Sequence, residues 1–298
     1  MIVTTLTLVM VAGMDPLDGA LVGPLAERWF QSRASTDKTA PTSGESAPAE
    51  GGDHSASDLA IQLSNPVADL ISVPLQSNFD FGPGDGSDGF RYTLNVQPVV
   101  PFALSEEWNL ITRTIVPIIH QEDVIGDGSE TGLGDVLASQ FFSPRRAGPW
   151  IWGVGPVFLL PTATESELGS EKWGAGPTGV VLRQDGPWTF GILANHVWSF
   201  AGDDDRAEVN QTFLQPFATY TFPSGFGFVL NTESTYDWRA EEWTVPIFAG
   251  VTQVLHVGKL PISLQLGGRA WTDGGDTAPD WGIRFNVVFL FPERKKKE

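Results

Sequence analysis

The stretch Trp281-Gly282-Ile283-Arg284-Phe285-Asn286-Val287-Val288-Phe289-Leu290-Phe291 places Ile283, Phe285, Val287, Phe289 and Phe291 on one face. Gly282, Arg284 and Asn286 fall on the other. Side chains of a β-strand point alternately to opposite sides, so this segment reads as a strand with one apolar and one polar face. Its length suits a tilted strand crossing a bilayer, which takes about 9–11 residues.

The pattern recurs upstream. Ile262, Leu264 and Leu266 oppose Ser263, Gln265 and Arg269; Phe226, Phe228 and Leu230 oppose Gly227, Asn231 and Glu233. Tyr92, Leu94 and Val96 oppose Arg91, Thr93, Asn95 and Gln97. Twelve segments with such alternation or with β-rich composition begin near Leu70, Phe90, Trp108, Gly134, Trp150, Lys172, Trp188, Val209, Phe226, Trp243, Leu260 and Trp281. Each is bounded by Gly, Pro or Asp clusters, and the regular spacing predicts an all-β fold, an antiparallel up-and-down transmembrane barrel of about 12 strands.

A soluble sandwich alternates as well, with its apolar face inward. The tryptophans separate the two. Trp108, Trp150, Trp173, Trp188, Trp198, Trp238, Trp243, Trp271 and Trp281, nine of the 11, lie at or near strand ends. A membrane–water boundary favours Trp there, whereas a packed core gives it no reason to avoid strand centres.

Composition agrees. The 298 residues include no Cys, which excludes disulfides, thiolate metal sites and a Cys nucleophile. Mean hydropathy is −0.05, with no uncharged apolar run long enough for a membrane helix. A net charge of −18 disfavours nucleic acid as a partner. That charge is concentrated. The odd-numbered connections (82–89, 120–133, 161–171, 201–208, 237–242, 272–280) are mostly long and hold 19 Asp and Glu against Arg206 and Arg239. The even-numbered ones (102–107, 143–149, 183–187, 223–225, 255–259) are mostly short and carry a net +1. Short periplasmic turns and long outer loops are the asymmetry of Gram-negative outer-membrane barrels. With an even strand number, both termini are expected in the periplasm.

Outside the barrel span, residues 1–13 form a short apolar stretch without a basic start. It reads as an incomplete secretion signal, with a buried strand as the other reading. Residues 14–57 read as a short helix followed by a disordered Ser/Thr/Ala/Pro/Gly linker, 58–292 as the barrel and 293–298 as a basic tail. Leu59, Ile61, Leu63 and Val67 stand at helical spacing, which leaves a periplasmic helix, a plug or part of the first strand open.

Several segments in order resemble one family: Asn65-Pro66-Val67-Ala68-Asp69-Leu70-Ile71-Ser72-Val73-Pro74, Gln97-Pro98-Val99-Val100-Pro101, Gly153-Val154-Gly155-Pro156 and Pro161-Thr162-Ala163-Thr164. Lys172-Trp173-Gly174-Ala175-Gly176-Pro177, Asn195-His196-Val197-Trp198-Ser199-Phe200-Ala201-Gly202 and Leu214-Gln215-Pro216-Phe217 continue the series. The chain from about Asp58 to Pro292 resembles the outer-membrane barrels labelled meta-pathway phenol-degradation-like, also mislabelled neuromedin U. The resemblance implies a Gram-negative outer-membrane transporter and, weakly, hydrophobic or aromatic solutes. It implies no catalytic residues. The linker and the basic tail depart from the family pattern.

If the apolar faces meet lipid, the polar faces line a lumen. The candidates are Asp80, Arg91, Asn95, Gln97, Arg113, Asp135, Asn231, Glu233, Gln265, Arg269, Arg284 and Asn286. Both signs are present, so they either select solutes in a pore or fill a closed barrel with satisfied ion pairs. Twelve tilted strands give a backbone radius on the order of 12 Å, which side chains largely consume. Expected partners are outer-membrane lipid, lipopolysaccharide and a small solute. The acidic loops attract cations, hold divalent ions that bridge lipopolysaccharide, or simply solvate the surface. No enzyme is expected: His54, His120, His196 and His256 stand in no hydrolase pattern, and no Gly-x-Ser-x-Gly, metal or cofactor motif occurs. The two functions left open are passive passage of small solutes and a closed structural or surface barrel.

Overall fold

The computed structural model describes residues 55–84, 88–146, 148–275 and 278–291. The expectations for residues 1–13, for 14–54 and for the tail 293–298 lie outside them. Twelve strands follow one another: β1 (Ile71–Phe81), β2 (Phe90–Val96, continued by Val99–Ala103), β3 (Trp108–Glu122), β4 (Ser129–Leu133, continued by Val136–Pro144), β5 (Trp150–Leu160) and β6 (Lys172–Asp185). The second half comprises β7 (Trp188–Gly202), β8 (Asn210–Thr221), β9 (Phe226–Thr232, continued by Ser234–Asp237), β10 (Glu242–Thr244, continued by Pro246–Val257), β11 (Leu260–Trp271) and β12 (Trp281–Phe291).

Each strand pairs antiparallel with the next. β12 returns to β1, from Ile71 opposite Phe291 to Phe81 opposite Trp281, and closes the sheet. Closure leaves no edge, which is the condition for a sheet to stand in hydrocarbon. Eleven strands begin within one residue of the predicted starts. The exception is β4, which begins at Ser129 because Gly134-Asp135 interrupts a longer strand.

Four strands are broken, and in three of them a proline is the covalent cause. Pro98 in β2 lacks an N–H, and Pro246 in β10 stands opposite Glu233 by the register that pairs Thr232 with Ile247 and Thr235 with Thr244. Gln97, Asp135 and Glu233, three of the candidate residues, sit at such breaks.

The alternation points the way the sequence predicts. Ile283, Phe285, Phe228, Leu230, Val181 and Ile192 are exposed on the outside of the wall, whereas Arg284, Val180 and Leu193 are buried inside. Two aromatic girdles flank the band. At the short-turn end Trp108 packs edge-on to Trp152, Trp150 to Phe190 and Trp188 to Tyr220. At the long-loop end Trp281 stacks on Phe81, and Tyr236 lies between Trp238 and Trp243. Every one of these tryptophans is exposed, which suits the wet edge of an apolar layer. The short-turn connections run two to five residues and the opposite ones four to eleven.

A helix lies inside the short-turn end. α1 (Ala56–Leu63) starts at Ser55, whose hydroxyl accepts from the Asp58 amide, and ends where the Ser64 hydroxyl donates to the Ala60 carbonyl. Its Leu59 and Ala60 pack on Val254, Val288 and Leu290 from the inner wall. Beyond it, Asn65 accepts from the Val67 amide in a tight turn that drives Val67 between Ile111, Phe141, Val180 and Leu182. The Gln184 amide donates to the Ile61 carbonyl, and Arg145 reaches Asp69 at 3.6 Å. Gly225 lets the β8–β9 turn touch the helix: its φ is +76°, and a Cβ there would meet Ala56 at 2.8 Å. Of the readings the sequence left open, residues 55–70 take the plug.

Candidate functional site

The lumen is lined from the inward positions of the strands, and its charged groups are organised by reach across the barrel. Arg284 on β12 crosses to Glu233 on β9, Nη1 to Oε1 at 2.9 Å and Nη2 to Oε2 at 2.6 Å. Its Nε donates to the Asn78 amide oxygen at 2.7 Å, and its guanidinium lies 4.9 Å from the Phe248 ring centre. Each of its three nitrogens donates. Arg269 on β11 skips β12 to hold Asp80 on β1, with both carboxylate oxygens within 2.7 Å of Nη1. It also lies over Trp271 at 4.6 Å, while its buried Nε has no partner among the described residues.

Two arginines have no such pairing. Arg91 donates through Nε and Nη2 to the Gln121 amide oxygen, whose own amide donates to Glu130. Arg113 donates through Nη2 to Gln97 at 2.8 Å. Among the described residues neither has a carboxylate within ion-pair distance. This network thus carries four guanidinium groups and three carboxylates, of which only Asp80 and Glu233 pair directly with arginine.

Two cavities adjoin Arg113. One, about 230 Å³, lies between the α1 segment and the middle of the lumen, and is lined by Gln97, Arg113, Asn231, Glu233, Gln265, Arg284 and Asn286. The amide oxygens of Asn231 and Asn286 are buried and unpartnered among the described residues. The other, about 210 Å³, has Ile115, Leu137, Leu159, Leu193, Val197 and Phe213 in its wall and Arg113 at its edge. Polar room for water lies on one side of Arg113, and an apolar chamber on the other.

The sequence candidates therefore divide. Gln97, Arg113, Asn231, Glu233, Gln265, Arg284 and Asn286 gather at the plugged chamber. Asp80 and Arg269 form an ion pair, Arg91 stands opposite Asp80 in the β1–β2 register, and Asn95 stands beside Gln76 in the same register. Asp135 does other work: it accepts from the Ala163 amide and from the amide and hydroxyl of Ser170, tying down the 161–171 loop. Sequence reasoning passed over Asn78 and Gln121, although both share strand parity with named candidates, Asp80 and Arg113. It also passed over Lys172, which is buried against Glu208 at 2.9 Å. That hydrogen bond, with a second from Ser199, holds the Glu208 carboxyl below the ordinary glutamate range.

Among the described residues the histidines form no catalytic set. His120 bonds Thr131 and Glu122 at the long-loop end, and His196 bonds Thr212 and stacks near Trp198 in the girdle.

A closed twelve-stranded wall with an apolar outside, two aromatic girdles and a polar, plugged lumen defines an outer-membrane-type β-barrel. A solved structure shows the same fold. The COG4313 outer membrane channel from Pseudomonas putida F1 superposes with a TM-score of 0.59 at 14% identity, covering 74% of this chain and 95% of its own. The NanC porin gives 0.46 at 11% identity, covering 74% and 100%. No protein-family model matches the chain, and no curated protein does.

Proposed function

We propose that this chain is a passive channel of the Gram-negative outer membrane for small solutes of apolar character, with residues 55–70 as its inner gate. The observation that carries the reading is the pair of cavities that share Arg113 in their linings. A lumen packed solid for stability would have no reason to hold two chambers of this size. On this reading the short turns and both ends of the barrel chain face the periplasm, and the acidic loops face outward. The resemblance to meta-pathway phenol-degradation-like barrels supports hydrophobic or aromatic solutes, and the likeness to the Pseudomonas channel supports the channel class.

A second reading has its own observation. α1 and the Arg284–Glu233 bridge obstruct the lumen, which suits a closed structural barrel whose loops meet lipopolysaccharide through divalent cations. Planar-bilayer recording of the refolded full chain separates them. Discrete, small open levels are expected of the channel; a bilayer that stays silent while the protein shows the heat-modifiable migration of a folded barrel supports the closed form.

A further inference from the structure

We infer that the apolar cavity beside Arg113 is a binding site for a small organic anion, a monocarboxylate on an apolar body the size of a single ring or a short acyl chain. The inference deepens the channel reading and rests on it. Arg284 and Arg269 are held by carboxylates, but Arg113 faces an amide, Gln97, through one nitrogen. Glu233 lines the neighbouring chamber with Arg113 but is bound to Arg284. A guanidinium in a confined lumen without a counter-charge is costly, and a structural role would be served better by a carboxylate at position 97. The arrangement fits a guanidinium whose partner arrives with the solute.

The cavity specifies the rest of that solute. Its walls are mostly aliphatic and aromatic, with Ser139, Asn195, Gln211 and Thr235 as the neutral polar residues, so an apolar body on the anion gains more there than a hydrated inorganic ion. Ser139 and Asn195 line it with 7% and 9% exposure, and neither side chain hydrogen-bonds to another group among the described residues. They offer a hydroxyl and an amide beside the planar fork of Arg113, which matches a carboxylate head in geometry and charge. A cation would be repelled, and a neutral alcohol would leave the charge uncompensated. The acidic loops oppose anion entry only over a Debye length of about 8 Å at physiological salt.

The test measures equilibrium binding of benzoate, benzyl alcohol and benzylamine to the folded full chain in detergent by calorimetry. Benzoate is expected to bind roughly tenfold more tightly than the other two, and Arg113→Gln to abolish that preference. Arg146→Gln, an exposed charge on a short turn, is expected to leave it unchanged. Thr235→Phe fills the cavity while sparing every arginine, and is expected to lose benzoate; it carries the test if Arg113→Gln does not fold. Equal binding of benzoate and benzyl alcohol, or a preference that survives Arg113→Gln, overturns the site. Bilayer conductance is read separately. Open levels without benzoate preference overturn the site and keep the channel, and benzoate binding in a silent barrel supports the site and overturns the channel.

Discussion

Arg284 and Arg113 carry the same guanidinium in opposite circumstances. The first is 2% exposed and held by Glu233 and Asn78 through all three nitrogens; the second holds one amide. Removing one member of a buried pair leaves the other charge stranded, so Glu233→Gln should cost about 3–5 kcal/mol. The loss is readable as a lowered midpoint in denaturant unfolding of the folded barrel. Glu233→Gln combined with Arg284→Met should recover most of it, and equal midpoints for wild type and Glu233→Gln would refute the assignment. Parity along a strand suffices to point Arg284, Glu233 and Gln97 inward. It does not pair them: Arg284 and Glu233 are 51 residues apart on strands separated by two others, and only barrel curvature brings them together.

At the scale of elements, the plug rests on a few apolar contacts. Leu59, Val67 and Leu70 are buried against inner-wall residues, each worth about 1.5–3 kcal/mol when fully buried. Only a few such contacts hold an eight-residue helix within the wall, so the segment can be displaced without breaking the barrel. Deleting residues 55–68 should therefore raise single-channel conductance severalfold while heat-modifiable migration persists, and Leu59→Asp should raise it less. An unchanged conductance in both would show that the constriction lies elsewhere. The signal for the plug stood in the last strand. Val287-Val288-Phe289-Leu290-Phe291 is apolar on both faces, so Val288 and Leu290 require an interior partner. Helical spacing at Leu59, Ile61 and Leu63 announced that partner's form, but not its place inside the wall.

For the whole molecule, the decisive feature is charge separation. The long connections carry nearly all of the formal −18, while the inner network holds an excess of guanidinium groups. A conduit of that kind selects by interior charge, because loop charges in water are screened beyond a Debye length. Replacing Arg113 and Arg269 together by Ala should shift the reversal potential in a salt gradient toward cations. An unchanged potential would place the ion path away from both residues.

The linear chain was enough to show the closed twelve-stranded barrel, its outer face, its girdles and its lopsided loops. Those features depend on period-2 alternation, strand length and aromatic placement, all local properties of a strand between two solvents. Closure decided the rest. Which guanidinium meets which carboxylate, that Arg113 meets none within reach, that Asp135 fastens a loop and that residues 55–70 enter the lumen depend on distances between strands far apart in sequence. Those distances are set by barrel curvature and by proline breaks, which no strand encodes alone.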